Sequence, residues 1–357
     1  MTRMSVRERD ALHGVERACA LDLDSRSLRR ELAARLSRVV GYDAYCFAAV
    51  DPWTLLLADE VSAGMPPDGG AAATHNEYLV DDVDKFAELA RTRRTVGILG
   101  HSTGGEPDRS HRFRTLLPMI DARDEMRVVF LADGHCWGAI SLFRGWRRPP
   151  FTPHEGTLVR AVARSIATAL RRAAGRTGTP APADTPSGPG VLLLDPRGRT
   201  VASNESARRW LEELSPLRMG LHEVAAASRA GAESYLRVRT RTGRWLSLSG
   251  STMDGDAAGT VSIVVQPAPT SDIARMLALA YALSPREQEV LRSVVAGVPS
   301  AAIATGLRVS AHTVDGHLKS LFAKFGVGSR GQLVGRVVGD VHTRQRAVPD
   351  RTPGQRP

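Results

Sequence analysis

Residues Leu283–Gly297 read LSPREQEVLRSVVAG, and Ala301–Val334 read AAIATGLRVSAHTVDGHLKSLFAKFGVGSRGQLV. Ser284-Pro285-Arg286-Glu287 carries the marks of a helix start. A hydroxyl sits at the N-cap, a proline at N1 gives up an N–H that has no partner there anyway, and a glutamate at N3 reaches back to the cap. Val290, Leu291, Val294 and Val295 put an apolar stripe on this helix, and Gly297 ends it. Ser300 caps a short second helix with Ile303 inward, and Gly306-Leu307-Arg308-Val309 makes a turn. Ser310 caps a third helix running to Phe325, with Gly326 at the C′ position. Ser329-Arg330-Gly331-Gln332 opens a fourth, continuing through Leu333, Val334, Val337 and Val338. Three short helices with a tight glycine-containing turn before the third predict a helix-turn-helix in an all-α, four-helix unit.

At 100° per residue, Val314, Leu318, Leu321 and Phe325 share one face of the third helix and pack on the first two. The opposite face shows His312, Thr313, Gly316, Lys319, Ser320 and Ala323. These groups are small or hydrogen-bonding, slim enough to approach a major groove about 12 Å wide. Lys319 and Lys324 add positive charge, and backbone N–H groups at the Ser310 end suit a phosphate.

The two stretches resemble the LuxR-type helix-turn-helix of bacterial transcription regulators. Leu283, Arg286, Glu287, Val290, Ile303, Leu307, Ser310, Thr313, Val314, His317, Lys324, Arg330 and Leu333 are among the residues that carry the likeness. The resemblance implies that helix 311–325 enters the major groove of double-stranded DNA. Its contact set would be Ser310, His312, Thr313, Asp315, Gly316, His317, Lys319, Ser320, Lys324 and Arg330. Asp315 stands where the family commonly has lysine. A carboxylate there accepts a hydrogen bond from cytosine N4 or makes a salt link within the protein, and the sequence leaves both open. The family's fourth helix often pairs across a dimer axis, which implies a homodimer through Gly331, Leu333, Val334, Gly335 and Val337. Gly331, Gly335 and Gly339, at four-residue spacing, either let two helices approach closely or simply weaken the helix by about 1 kcal/mol each.

Working outward, Ala173–Gly190 (AAGRTGTPAPADTPSGPG) has a linker's composition, Gln266–Ser271 is a shorter break, and Val341–Pro357 reads as a disordered tail. The expected organisation is therefore 5–172, linker 173–189, 190–266, 272–340 and tail 341–357. In the first unit, Leu28, Leu32, Leu36 and Val39 mark a helix, and Tyr42–Val50 and Thr54–Val61 read as strands. Val83–Arg91 and Phe113–Ile120 read as helical. Met126–Ala132 and Cys136–Phe143 flank the turn Asp133-Gly134, and Thr152-Pro153-His154-Glu155 caps a closing helix. This α+β order, with the strand Gly134–Leu142 before the long helix, resembles a GAF domain, a sensory module of cytoplasmic regulators. The second unit begins with strands Val191–Leu194 and Thr200–Ser203 around a DPRG turn, and a helix capped by Asn204 follows. Strands Ser234–Thr240, Trp245–Ser251 and Val261–Gln266 complete it. It resembles a small α+β PAS domain.

The 357 residues carry 48 Lys and Arg against 38 Asp and Glu, a net charge of +10 that suits a polyanion partner. Lysines number only three, Lys85, Lys319 and Lys324, and two of these fall within the third helix. Residues 272–340 hold eight Lys and Arg, a modest excess over their acids. No apolar run reaches the roughly 18 residues of a membrane span, and the charged start lacks a signal-peptide core, so no membrane partner and a cytoplasmic location are expected. Three widely spaced cysteines, Cys19, Cys46 and Cys136, form neither a disulfide framework nor a zinc-type spacing. His75, His101, His111 and His135 likewise show no ligand spacing, so no metal and no cofactor are expected.

Gly100-His101-Ser102-Thr103-Gly104 fits the G-x-S-x-G elbow that would make Ser102 a hydrolase nucleophile. That elbow runs directly into a helix, and here Gly105-Glu106-Pro107 follows. Tyr45, Phe47, Trp53, Trp137, Phe143 and Trp146 are either core or the lining of a ligand pocket. The sequence reading is a DNA-binding transcription regulator rather than an enzyme. A small-molecule effector at the first units and RNA polymerase are its further expected partners. The rival is an adaptor whose helix-turn-helix no longer binds DNA.

Overall fold

A computed structural model gives the architecture and describes residues 4–66, 69–176, 188–214, 219–240 and 243–338. Most of the expected linker, the tail 341–357 and Gly339 lie outside the described residues. The chain divides into two compact units. One holds two five-stranded sheets with their helices, and the other is helical. No helix among the described residues is long and apolar enough to cross a membrane.

The first sheet joins β1 (Ala44–Val50), β2 (Leu57–Ala63), β3 (Val96–Ile98), β4 (Ala122–Ala132) and β5 (His135–Gly145) in the order β2-β1-β5-β4-β3. Its helices are α1 (Val6–Cys19), α2 (Ser25–Val39), α3 (Gly69–Leu79), α4 (Phe86–Arg91), α5 (Leu99–Ser102), α6 (His111–Thr115) and α7 (Pro153–Ala174). The capping box expected at Thr152 and Glu155 is formed, and the apolar side of α7 buries Leu158, Val162, Ile166 and Leu170. The hairpin β4–β5 turns at Asp133-Gly134, both at positive φ. Among the elements the sequence reading does not contain are α1, α3 and α9 (Met219–Arg229). Of these, α1 begins with a legible capping box, Ser5 with Glu8.

The second sheet contains β6 (Gly190–Leu194), β7 (Thr200–Ser203), β8 (Tyr235–Arg239), β9 (Trp245–Thr252) and β10 (Val261–Pro267), in the order β7-β6-β10-β9-β8. Strand for strand, this is the connectivity of the first sheet. Helix α8 (Glu205–Leu214) starts at Asn204, whose carboxamide oxygen accepts from the Ala207 N–H at 2.8 Å. Leu56 and Ala58, beside and on β2, are buried in the core of this second sheet with Leu236, Val238 and Val224. Buried Asp51 also accepts from the Arg237 guanidinium at 3.0 Å. The first two expected domains are thus one unit with a shared core.

The helical unit contains α10 (Thr270–Ala280), α11 (Pro285–Val295), α12 (Ser300–Leu307), α13 (Ala311–Phe325) and α14 (Arg330–Val338). Helix α10 is one more than the four helices expected. It starts behind Pro269 with no capping side chain, so no polar cap announces it.

Candidate functional site

The helix-turn-helix forms as the sequence expects. Ser284 accepts from the Glu287 N–H while the Glu287 carboxylate accepts from the Ser284 N–H at 2.7 Å. Val290, Leu291 and Val294 of α11, Ile303 of α12, and Val314, Leu318, Leu321 and Phe325 of α13 are buried. The turn between α12 and α13 places Arg308 at φ +54°, so the left-handed residue is an arginine and not Gly306. Gly326 closes α13 at φ +63°.

This packing presents one face of α13 to solvent. His312, Thr313, Asp315, Gly316 and Lys319 are exposed, and a Cβ on Gly316 would meet nothing within 4 Å. His317 is half-buried. Ser310 spends its hydroxyl on the cap, accepting from the Thr313 N–H at 3.0 Å and bonding the Thr313 hydroxyl at 2.8 Å.

Three further residues of the expected contact set, Ser320, Lys324 and Arg330, are engaged inside the domain. The Ser320 hydroxyl and the Lys324 ammonium both donate to the Glu287 carboxylate at 2.6 Å. Arg330 donates to the Val298 carbonyl and to the Ser300 hydroxyl, tying α14 to the start of α12. The sequence reading missed Glu287 as the anchor of Ser320 and Lys324, because these partners lie 33 and 37 residues from it. On α14, Leu333 and Val337 are fully buried against the other helices of the domain, whereas Gly331 and Gly335 are exposed and Val334 is half-buried. Leu333 and Val337 therefore do not face outward as expected. They are core side chains, because the α14 stripe covers α10, α11 and α13.

Burial alone would raise the Glu287 carboxyl, but bonds from Lys324, Ser320 and the Ser284 cap outweigh it and hold the group down to about 2. A carboxyl lowered on folding stabilises the domain fully above its unfolded value of about 4.3. That contribution is lost as pH falls from there through about 2. Glu287→Ala is expected to remove about 1–3 kcal/mol of stability at pH 7. Urea unfolding of the variant and the parent should converge toward pH 2.

A second candidate site lies in the sheet unit. A cavity of about 240 Å³ opens between the first sheet, α3, α4 and α9. Its wall carries a charged lattice. Arg127 donates to Glu77 at 2.7 Å and to Glu125 at 2.9 Å, and Arg112 behind it donates to Glu125 at 2.6 Å. Ser141 adds a bond to Glu125 at 2.7 Å. Of the aromatic residues considered for a pocket, only Phe143 lines this cavity. Phe47 and Trp137 are buried in the core, and Trp146 is exposed. Burial pushes the Cys136 thiol up to about 12 and Cys19 to about 11, so both are poor nucleophiles. Ser102 ends α5, and its hydroxyl accepts from Arg94 at 3.4 Å. Among the described residues no group of three or more His, Cys, Asp and Glu is arranged to hold a metal ion.

Residues 281–337 match the sequence model of bacterial regulatory proteins, luxR family, and residues 24–170 match that of the GAF domain. No curated protein matches the chain. Among solved structures, the GAF domain/HD domain protein from Geobacter sulfurreducens is 17% identical with TM-score 0.31, over 42% of this chain and 95% of that one. SdiA in complex with octanoyl-rac-glycerol is 12% identical with TM-score 0.36, over 95% and 97%. The Vibrio cholerae VqmA dimer, a LuxR-type receptor, is 16% identical with TM-score 0.17, over 43% and 83%. The chain carries a LuxR-type helix-turn-helix domain at 281–337 and a GAF domain at 24–170, the modules of a DNA-binding regulator with a sensory domain.

Proposed function

We propose that this protein is a sequence-specific transcription regulator that binds DNA as a homodimer, acts by binding rather than catalysis, and is modulated by a signal read in the sheet unit. The observation that carries the reading is the exposed face of α13. It offers Lys319, Thr313, His312 and a glycine with open space about its missing Cβ, on a helix whose other face is locked into the core. Lys319 is the cation on this face best placed for phosphate or guanine, because Lys324 is held by Glu287. Ser320, Lys324 and Arg330 position α13 and α14 instead of meeting DNA. Exposed Gly331 and Gly335 and half-buried Val334 remain the part of α14 available to a second copy. Two copies set recognition helices about 34 Å apart for successive major grooves of a pseudo-palindrome.

Lys319→Ala in the intact chain tests this. The operator affinity is expected to fall roughly tenfold, and log K against log[salt] to become shallower by about 0.9 per copy, or about 1.8 for a dimer. Filter binding over a salt series reads both quantities. Unchanged affinity and slope would remove α13 from the interface.

A further inference from the structure

We infer that the cavity of the sheet unit is a receptor for a small organic cation, an ammonium or amidinium, whose charge is read by Glu223 of α9. This rests on the reading that the sheet unit senses a signal, and it names the chemistry of that signal.

The argument starts from charge balance. The cavity wall carries four carboxylates, Glu60, Glu77, Glu125 and Glu223, but one guanidinium, Arg127. Glu77 and Glu125 are matched by Arg127 and by Arg112 behind it. Glu60 and Glu223 are left over. Glu60 accepts from the Cys46 thiol at 2.8 Å, Glu223 accepts from the Thr74 hydroxyl at 2.8 Å, and among the described residues neither forms an ion pair. Glu223 is 1% exposed; the Tyr78 hydroxyl and the Leu57 N–H also act on its carboxyl, and among the described residues its second oxygen makes no hydrogen bond of ordinary geometry. A buried carboxyl with an unpaired oxygen is costly in its charged form, so it keeps a proton until a cationic donor takes that proton's place. The cavity beside it has room for roughly eight water-sized atoms, enough for an amine or amidine on a short apolar body. Leu57, Phe86, Phe143 and Met219 supply the apolar wall for that body.

The placement of Glu223 links recognition to the fold. It comes from α9, which belongs to the second sheet, while Thr74, Glu60 and Arg127 come from the first. A cation held by Glu223 and Glu60 therefore ties the two sheets together at the seam where α3 packs on α9. The groups facing Glu223 are Thr74, Tyr78 and Glu77 on α3, Cys46 on β1, Glu60 on β2, and Glu125 and Arg127 on β4. Burial pushes the Glu223 carboxyl up to about 8, with Glu77 adding to the rise. It is therefore protonated at pH 7 in the empty cavity, and an entering cation displaces that proton.

Two isosteric sets test the inference on the full chain. They are benzamidinium, benzamide and benzoate, and n-butylammonium against n-butanol. Calorimetry in two buffers of different ionisation enthalpy is expected to show a cation binding with release of about one proton at pH 7. Its affinity should rise about ninefold from pH 6 to 7, about fivefold from pH 7 to 8, and level off above that. The neutral and anionic isosteres should bind at least tenfold more weakly. Glu223→Gln keeps the shape of the protonated acid, so its unfolding midpoint should stay within a few degrees of the parent. It should lose the proton release and at least tenfold of the cation affinity. Absence of binding by either cation, equal binding of amide and amidinium, or retained binding and proton release in Glu223→Gln would overturn the assignment. DNA retention by the same samples is scored separately. DNA binding without cation binding sinks only this inference, and cation binding without DNA binding sinks only the regulator reading.

Discussion

Glu125→Ala is expected to cost about 3–5 kcal/mol of stability, enough to unfold the sheet unit near physiological temperature. Glu125 is 1% exposed and accepts from Arg112, Arg127 and Ser141 at once. Burial works against its charge, but the two guanidiniums outweigh it and hold the carboxyl down to about 2. Removing the carboxylate takes a buried acceptor from both guanidiniums at once, leaving Arg112 on Asp82, Asn76 and the Val83 carbonyl, and Arg127 on Glu77 and the Asp84 carbonyl. Urea unfolding followed by tryptophan fluorescence measures the loss. The sheet-unit transition should move to much lower urea and the helical unit should keep its helicity. A loss below about 1 kcal/mol would mean that the lattice is relaxed by water and is not the closed network described.

Gly316→Glu is expected to abolish selective DNA binding, by more than 100-fold, while leaving the fold intact. Gly316 lies on the exposed face of α13 with open space around the missing Cβ, so a side chain there strains nothing in the free protein. Glycine within a helix is itself about 1 kcal/mol worse than alanine, so thermal stability should hold or rise. Against DNA the same side chain brings bulk and negative charge to the groove, next to Asp315, and like charges meet across the interface. Gly316→Ala is the control. It should be slightly more stable than the parent and bind nearly as well. Equal DNA affinity in Gly316→Glu would place the nucleic-acid surface elsewhere.

Much of this was legible because capping and turn chemistry are local. Ser284 with Glu287 and Thr152 with Glu155 announced α11 and α7, and Asp133-Gly134 announced the β4–β5 hairpin. Spacing also placed His312, Thr313, Gly316 and Lys319 on the exposed face of α13, but not the inward bond of Ser320 to Glu287. What was missed has identifiable causes. Helix α9 is buried around most of its circumference, so Met219–Arg229 shows no apolar stripe with a polar face opposite, and nothing in the sequence singles out Glu223. Helix α10 lacks a polar cap, and α3 opens on two glycines. The inward turn of Leu333 and Val337 depends on α10, which the sequence reading did not have. The Lys324–Glu287 pair and the Thr74–Glu223 bond join residues 37 and 149 apart, and neither distance leaves a local pattern.

The most direct test of the central claim is selection of sheared DNA from the protein's own genome by the intact chain at two salt concentrations, followed by sequencing of what is retained. The account predicts one enriched pseudo-palindromic motif with half-sites about one helical turn apart, weakened by salt and lost in Gly316→Glu. Uniform recovery of the genome, or the same motif recovered by Gly316→Glu, would contradict it.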